Sequence, residues 1–221
     1  MGQDKRKQNK NSFTESVLGE FTHAKASGAA FTLAVLLPSV FSFVFIILLA
    51  ITGLSNKEGY DTSNWYLYVS YLLAPVSFAM VAAWYLRYTK TTVKTALSTQ
   101  KCHPKYYLVA VLLQVGLLAL SELNVYFLTF LERFGYQGMG IRLPNMDGVG
   151  FVGVLIAVAV LPAVFEELIF RGVLLRGLTS FGKVGAVLVC GALFAVYHQN
   201  PAQTLYQFCC GMAFELVALT A

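Results

Sequence analysis

The chain has 221 residues, of which 57% are hydrophobic and only 12% are charged, and its formal net charge is +5. A soluble domain usually carries about 25% charged residues, so this composition excludes an ordinary water-soluble globule and a disordered chain. In so apolar a chain, an excess of lysine and arginine typically serves to orient the protein in a membrane rather than to bind nucleic acid. The length accommodates one membrane domain with about six spans of roughly 20 residues each.

Apolar runs separated by polar loops follow a basic tail, residues 1–27. The tail shows no short apolar core with a cleavage site after it, so no signal peptide is predicted. The runs are too long for strands and lack period-two alternation, which predicts an all-α, polytopic transmembrane helix bundle. The predicted spans are Ala29–Leu54, Trp65–Leu86, Tyr106–Leu131, Val149–Leu178, Lys183–His198 and about Gln203–Ala221. This divides the chain into a tail (1–27), three amino-terminal spans (28–148) and a carboxy-terminal core (149–221).

The distribution of lysine and arginine predicts the orientation in the membrane. Thirteen of these residues lie in the tail, in the loop 87–105 and in the stretch 171–183, and the other three are Lys57, Arg133 and Arg142. The two groups alternate along the chain as cytoplasmic and external segments do under the positive-inside rule. The amino terminus, the loop 87–105 and the turn near Ser180 are therefore predicted to face the cytoplasm.

Four cysteines do not indicate a disulfide framework. Cys190, Cys209 and Cys210 lie in apolar stretches, whereas Cys102 lies in a basic loop. There is no CxxC spacing, and adjacent cysteines are poor disulfide partners. We therefore expect the cysteines to act as small apolar packing residues.

Ionisable side chains inside predicted spans mark candidate functional positions, because each is costly in hydrocarbon unless it is paired. Two neighbouring carboxylates, Glu166 and Glu167, do not both ionise comfortably in low dielectric, so one is expected to hold a proton near neutral pH. Arg171 follows Glu167 by four residues and so lies on the same helical face. A purely structural ion pair at a helix kink is the alternative. The full set of candidates is Glu122, Glu166, Glu167, Arg171, Arg176, His198 and Glu215.

The depth of these residues distinguishes the two interpretations. At about 1.5 Å per residue, the two glutamates lie on the order of 20 Å from the short turn at 179–183, and His198 lies about 22 Å from it. Antiparallel neighbouring helices therefore bring the carboxylates and the imidazole to one level inside the bilayer. This matched depth favours a functional site over isolated packing residues.

The remaining polar positions are assigned more modest roles. Phe194 shares a face with His198 and is expected to wall the imidazole. Glu122, with Asn124 nearby, either joins the same cavity or snorkels to the interface, and the second option is slightly favoured. Glu215 lies mid-helix in the last run, where it could pair with an arginine, and a catalytic role for it is not favoured. Arg176 is expected to be an interfacial anchor.

A glutamate and a histidine that share a water can activate it for attack on a peptide carbonyl. The same residues are also candidate ligands for a divalent metal such as zinc, with water at an open position. The HExxH zinc motif and the GxSxG turn of serine hydrolases are absent. No Walker loop occurs, and no nucleotide partner is predicted.

The pattern Glu166-Glu167-x-x-x-Arg171 followed by Phe194-x-x-x-His198 resembles the two leading motifs of the CPBP family of intramembrane proteases. These CAAX-protease and bacteriocin-processing proteins, also called Abi, are related to type II CAAX prenyl endopeptidases. The resemblance covers residues 149–221 and implies a protease core in the plasma membrane of a bacterium. It implies that Glu166 activates water with help from His198, that Glu167 and Arg171 orient and balance charge, and that Phe194 supports His198. Whether a metal takes part stays open.

One departure from the family affects the functional prediction. The family has a third, His-x-x-x-Asn-like motif on a later helix, and no histidine follows His198 here. The sequence therefore resembles a member cut short, and loss of an oxyanion donor costs about 3 kcal/mol of transition-state stabilisation. The leading prediction is a membrane endopeptidase whose partners are lipid and a peptide or protein substrate. A non-catalytic immunity or scaffold protein is the alternative, and a transporter, which would show repeats and broken helices, ranks last.

Overall fold

The computed structural model describes residues 2–96, 103–138 and 140–220, with side chains from residue 23 onward. Its described part contains helices and loops and no strand, which confirms the predicted all-α class. Short 3₁₀ turns occupy Leu54–Asn56 and Tyr60–Thr62 in the loop after the first helix. The helices are α1 (Gly2–Ile51), α2 (Asn64–Tyr88), α3 (Val93–Ala96), α4 (Lys105–Glu132), α5 (Val149–Phe181), α6 (Lys183–Tyr197) and α7 (Pro201–Thr220).

Two of these helices are composite. Helix α4 consists of the segments Lys105–Leu118 and Leu120–Glu132, which meet at Ala119. Helix α5 alternates α-helical turns with two π-helical stretches, Leu155–Val160 and Glu167–Leu174. The α-helical parts of α5 are Val149–Val154, Leu161–Glu166 and Leu175–Leu178, and its last turn, Thr179–Phe181, is 3₁₀.

Four helices are long and apolar enough to cross a bilayer: His23–Ile51 within α1, and the whole of α2, α4 and α5. Helix α6 is apolar but has only 15 residues, and α7 has 20. The polytopic bundle is thus confirmed, whereas the count of six spans stays a prediction. Helix α1 begins at Gly2 and continues without a break past residue 27, so the basic tail and the first span share one helix. The tail's side chains up to residue 22, together with Lys101 and Cys102 of the basic loop, lie outside the described residues.

The core lies between α1, α2, α5 and α6. Its largest fully buried apolar side chains include Phe78 of α2 with Ile169 and Phe170 of α5. Helix α1 contributes three buried alanines, Ala26, Ala30 and Ala34, spaced four residues apart. Small residues on one helical face let neighbouring backbones approach closely, which is how helices associate in a bilayer.

The α5–α6 hairpin depends on Gly182, whose φ of 96° lies in a region that L side chains rarely adopt. Helix α6 then returns antiparallel to α5. A second turn leads into α7, where the Asn200 side-chain oxygen accepts a hydrogen bond from the Ala202 N–H at 3.1 Å and caps the new helix. Pro201 is the first residue of α7, where its missing N–H removes no helical bond. These two turns place α5, α6 and α7 side by side.

Candidate functional site

The turn of α5 that carries the first motif is the most deeply buried part of that helix. Every residue from 168 to 175 is buried, including Arg171. Arg171 Nη1 lies 3.4 Å from Glu167 Oε1, so the predicted pairing of these two residues one turn apart is present. The Glu167 side chain is 54% exposed whereas that of Arg171 is 7% exposed. The pair therefore joins an accessible carboxylate to a buried guanidinium.

A second carboxylate lies on the other side of Arg171. Glu215 of α7 is fully buried, and its Oε1 is 3.4 Å from Arg171 Nε. The Cys190 thiol of α6 donates a hydrogen bond to the same Oε1 at 3.1 Å. Of the options that the sequence leaves open for Glu215, the structure thus contains the pairing with an arginine. A buried charge without a partner is very costly, so Arg171 and Glu215 each make the burial of the other possible.

Aromatic rings continue this cluster toward the second motif. The guanidinium carbon of Arg171 lies 4.7 Å from the centroid of the Phe194 ring and 5.7 Å from that of Phe214. A cation above an aromatic face is attracted by the ring quadrupole, most strongly when water is excluded. The Phe194 ring also meets Phe170 edge-on, with centroids 4.9 Å apart. Phe194 is thus fixed by contacts with Arg171 and Phe170 of α5.

His198 lies directly after the last turn of α6, and its ring packs edge-on against Phe194 with centroids 4.7 Å apart. Its Nδ1 is 2.8 Å from the Phe194 carbonyl oxygen. A carbonyl only accepts, so Nδ1 carries the proton in this bond and a neutral imidazole has its lone pair on Nε2. Phe194 therefore contacts the imidazole through its ring and fixes the tautomer through its backbone.

Glu166 is half-buried and makes no hydrogen bond or ion pair with the described residues. It lies within electrostatic range of Arg171 and Glu167 on its own helix and of Tyr197 on α6. The Tyr197 ring in turn lies 5.6 Å from that of His198. The turn of α5 that carries Glu166 thus lies near the end of α6 that carries the histidine. That these groups share one cavity stays a prediction, since the groove beside His198 is not lined by Glu166 or Glu167.

A metal would need several donors around one point. Among the described residues, no group of three or more histidine, cysteine, aspartate or glutamate side chains is arranged to hold a metal ion. One of the three proposed ligands, the Glu167 carboxylate, is already engaged by Arg171. Glu166, Glu167 and His198 therefore do not fit a three-ligand metal site in this arrangement.

The other polar candidates lie outside this cluster. Glu122 is exposed on α4, and Asn124 is half-buried with a side-chain oxygen that has no partner among the described residues. Arg176 is exposed and donates to the Thr95 carbonyl oxygen, which ties α5 to α3. Three cysteines, at positions 190, 209 and 210, are free thiols, as the spacing predicts.

Comparison with known proteins bears on the region that contains this cluster. Residues 148–220 match a family model described as Type II CAAX prenyl endopeptidase Rce1-like. This region is thus similar to that family. The match covers about one third of the chain and includes every residue of the two motifs, which confirms the family resemblance. The Rce1-like family implies a peptidase, and with the long apolar helices it indicates an integral membrane protein. No significant match was found among curated proteins or among solved structures.

Proposed function

We propose that the chain is an intramembrane endopeptidase in which Glu166 and His198 activate a water molecule. The observation that carries the proposal is the contact series from Glu167 through Arg171 and Phe194 to His198. It joins the two motif turns inside a bundle of apolar helices. A membrane helix that only spans the bilayer has no need for buried charge, so the retained cluster favours a chemical role.

The proposed reaction adds one water across a peptide bond. Glu166 takes a proton from the water as its oxygen attacks the carbonyl carbon, and it later delivers that proton to the leaving amine. The Nε2 lone pair of His198 accepts a hydrogen bond from the same water and orients it. Glu166 suits the base role because its carboxylate is not committed to another residue, whereas Glu167 and Glu215 both face Arg171.

Arg171 acts as a positioning residue in this proposal. Its positive charge offsets the negative charge that develops on the substrate carbonyl oxygen, and its stacking on Phe194 fixes the support of His198. Glu215 holds Arg171 from the buried side, a role that the sequence resemblance gives to Glu167 alone. Because Glu215 is fully buried and Glu167 is not, we expect Glu215 to define the guanidinium position more strongly.

The substrate class follows from the family and from the membrane setting. We propose prenylated CAAX-type peptides, or precursors of bacteriocins or pheromones, whose scissile bond reaches the site within the bilayer. We propose a bacterial plasma membrane as its location, with the amino terminus in the cytoplasm; the lysine and arginine distribution supports this orientation.

The test compares two glutamate-to-glutamine variants of the full chain in vesicles, with a quenched-fluorescent farnesylated CAAX peptide as probe. Glu166→Gln keeps the shape of the side chain but cannot take a proton, so cleavage is expected to fall by about 10²–10⁴-fold. Glu122→Gln, at an exposed glutamate on α4, is the matched control and should cleave at the parental rate.

Equal rates for the parent and Glu166→Gln would overturn the assignment of the base. If the parent binds the peptide and does not cleave it, the alternative of a peptide-binding scaffold takes its place.

A further inference from the structure

The π-helical stretch of α5 ends with one more carbonyl oxygen than its own helix can satisfy. The Leu175 N–H donates to the Phe170 carbonyl oxygen, five residues back, whereas the Thr179 N–H donates to the Leu175 carbonyl oxygen, only four residues back. Between these two bonds, the four carbonyl groups of residues 171–174 face the three N–H groups of residues 176–178. One acceptor is therefore left over, and a buried backbone acceptor needs a donor from elsewhere.

A side chain of α1 supplies this donor. The Ser27 hydroxyl donates a hydrogen bond to the Val173 carbonyl oxygen at 2.9 Å. Ser27 is 1% exposed and Val173 is fully buried, so the bond lies inside the protein. A buried carbonyl oxygen without a donor is costly, and the Ser27 hydroxyl removes that cost at the point where the helix lacks an N–H.

Two further features hold α1 against this part of α5. Gly177 has no side chain, and a Cβ atom there would collide with the Ser27 side chain, so the glycine leaves the space that the serine occupies. One turn further along α1, the Phe31 ring meets the Phe170 ring edge-on, with centroids 6.2 Å apart. Helix α1 thus contacts the π-helical stretch both at its backbone and at an aromatic ring.

The acceptor of the Ser27 hydroxyl differs from that of other hydroxyls in the spans. Thr32 of α1 and Ser77 of α2 donate to carbonyl oxygens four residues back on their own helices, as such hydroxyls commonly do. Those acceptors lie in regular α-helix, where each also has a helical N–H. Ser27 instead donates to another helix, 146 residues away in the sequence. This difference indicates a specific task for Ser27.

The π-type winding decides where Glu166 points relative to Arg171. The two residues are five positions apart, so in a regular α-helix they would lie about 140° apart around the axis. In π-type winding, residues five positions apart are joined by a backbone hydrogen bond and lie one turn apart on the same side. Glu166 is within electrostatic range of Arg171, and Glu167 forms an ion pair with it. The winding therefore brings both glutamates of the motif to the side of the guanidinium.

We propose that Ser27 is a positioning residue, whose hydrogen bond to Val173 stabilises the π-type winding that keeps Glu166 beside Arg171. The inference rests on the proposed hydrolysis and adds a residue of α1, outside the two motifs. Without the hydroxyl, the Val173 carbonyl oxygen is unsatisfied in an apolar interior, which favours a return to α-type winding. That return turns Glu166 away from Arg171 and slows the chemical step.

The competing explanation is that Ser27 only attaches α1 to α5. Loss of an attachment would loosen both helices alike and would leave the chemistry of the folded protein unchanged. Loss of a bond that holds the winding affects α5 selectively and lowers the rate of the chemical step. Two measurements on the same variants therefore distinguish the two explanations.

The experiment combines hydrogen–deuterium exchange of the full chain in micelles with cleavage of the farnesylated peptide in vesicles. In Ser27→Ala, amide exchange in residues 171–178 should rise about tenfold or more, because this turn has lost a buried hydrogen bond. Exchange in α1 around residue 27 should change less than about twofold. The kcat for cleavage should fall about 10–100-fold with KM within about twofold, because a misdirected carboxylate affects chemistry rather than binding.

Ser77→Ala is the matched control, since Ser77 is equally buried in a span but donates to a carbonyl oxygen that keeps its helical N–H. Its exchange in residues 171–178 and its kcat should both equal those of the parent. If Ser27→Ala loses its helical circular dichroism, Ser27→Cys takes its place. A thiol is a weaker donor than a hydroxyl, so exchange in residues 171–178 should then rise about threefold.

Parental exchange in residues 171–178, or an equal rise in α1 and α5, would overturn the role of Ser27 in the winding. A selective rise in exchange with a parental kcat would overturn the positioning role. If the parent does not cleave the peptide, hydrolysis is refuted, and the exchange pattern still decides whether Ser27 holds the winding. Selective exchange together with a lower kcat is the result that supports the proposal.

Discussion

Helices α4 and α5 are both long and apolar enough to cross a membrane, yet they occupy different surroundings. Helix α5 is buried over its whole 168–175 stretch, whereas Leu117 is the one buried residue among the described positions of α4. In a bilayer, lipid and protein interior are equally apolar, so hydrophobicity does not tell a lipid-facing helix from a central one. The distinguishing feature is polar: α5 carries a buried arginine with partners on neighbouring helices, whereas the two glutamates of α4, Glu122 and Glu132, are exposed.

The largest expected effect comes from removing the arginine that marks α5 as central. Arg171→Met leaves Glu215 buried without a counter-charge, so the free energy of unfolding should fall by about 3–5 kcal/mol. Replacing both residues, with Arg171→Met and Glu215→Leu together, should recover most of this loss because no buried charge remains. Unfolding in mixed micelles, followed by circular dichroism, measures both.

Arg133→Met, at an exposed arginine after α4, serves as the reference and should change stability by no more than about 0.5 kcal/mol. An Arg171→Met variant as stable as this reference would show that the buried pair does not hold the bundle together.

The next largest effect is expected from an alanine substitution at a tightly packed glycine, compared with the same substitution at an open one. A Cβ atom on Gly211 of α7 would lie 2.9 Å from Gly191 Cα of α6, a backbone atom that cannot move alone. Gly211→Ala is therefore expected to force α6 and α7 apart and to cost about 1–3 kcal/mol, as overpacking does. At Gly116 of α4 nothing lies within 4 Å, so Gly116→Ala should be neutral or stabilise by up to about 1 kcal/mol. Thermal unfolding of the two variants in parallel decides the matter, and equal losses would contradict the close packing of α6 on α7.

The smallest expected effect concerns a link between the loop after α4 and the turn that follows α6. The Tyr136 hydroxyl donates to the Asn200 side-chain oxygen at 2.9 Å. Tyr136→Phe should cost about 0.5–1.5 kcal/mol, the usual net value of one hydrogen bond. Tyr126→Phe on the exposed face of α4 is the control. A protease-sensitivity assay on the loop should show faster cleavage for Tyr136→Phe only, and identical rates would show that this bond does not restrain the loop.

The sequence predicts much of this molecule because its strongest signals are local. Apolar runs define the spans to within a few residues, and the four-residue spacing predicts the Glu167–Arg171 and Phe194–His198 contacts that the structure contains. The partner of Glu215 is foreseen only as some arginine, because 44 residues of separation carry no geometric information. The groove between α1 and the end of α6 is not foreseen at all, because the sequence does not show which helix packs beside His198. Because the tail is polar, the sequence also does not show that the tail and the first span form one continuous helix.

The π-helical turns of α5 change how this helix should be compared with other sequences. A regular α-helix turns about 100° per residue, and each π-type turn holds roughly one residue more. Residues on the two sides of Glu167–Leu174 are therefore rotated relative to a uniform helix, and a helical wheel drawn through Val149–Phe181 assigns faces incorrectly. Deleting one residue from this stretch would restore regular winding but turn Glu166 away from α6. A single-residue gap here in an alignment is thus a change of direction for the Glu166 carboxylate, not a neutral shortening.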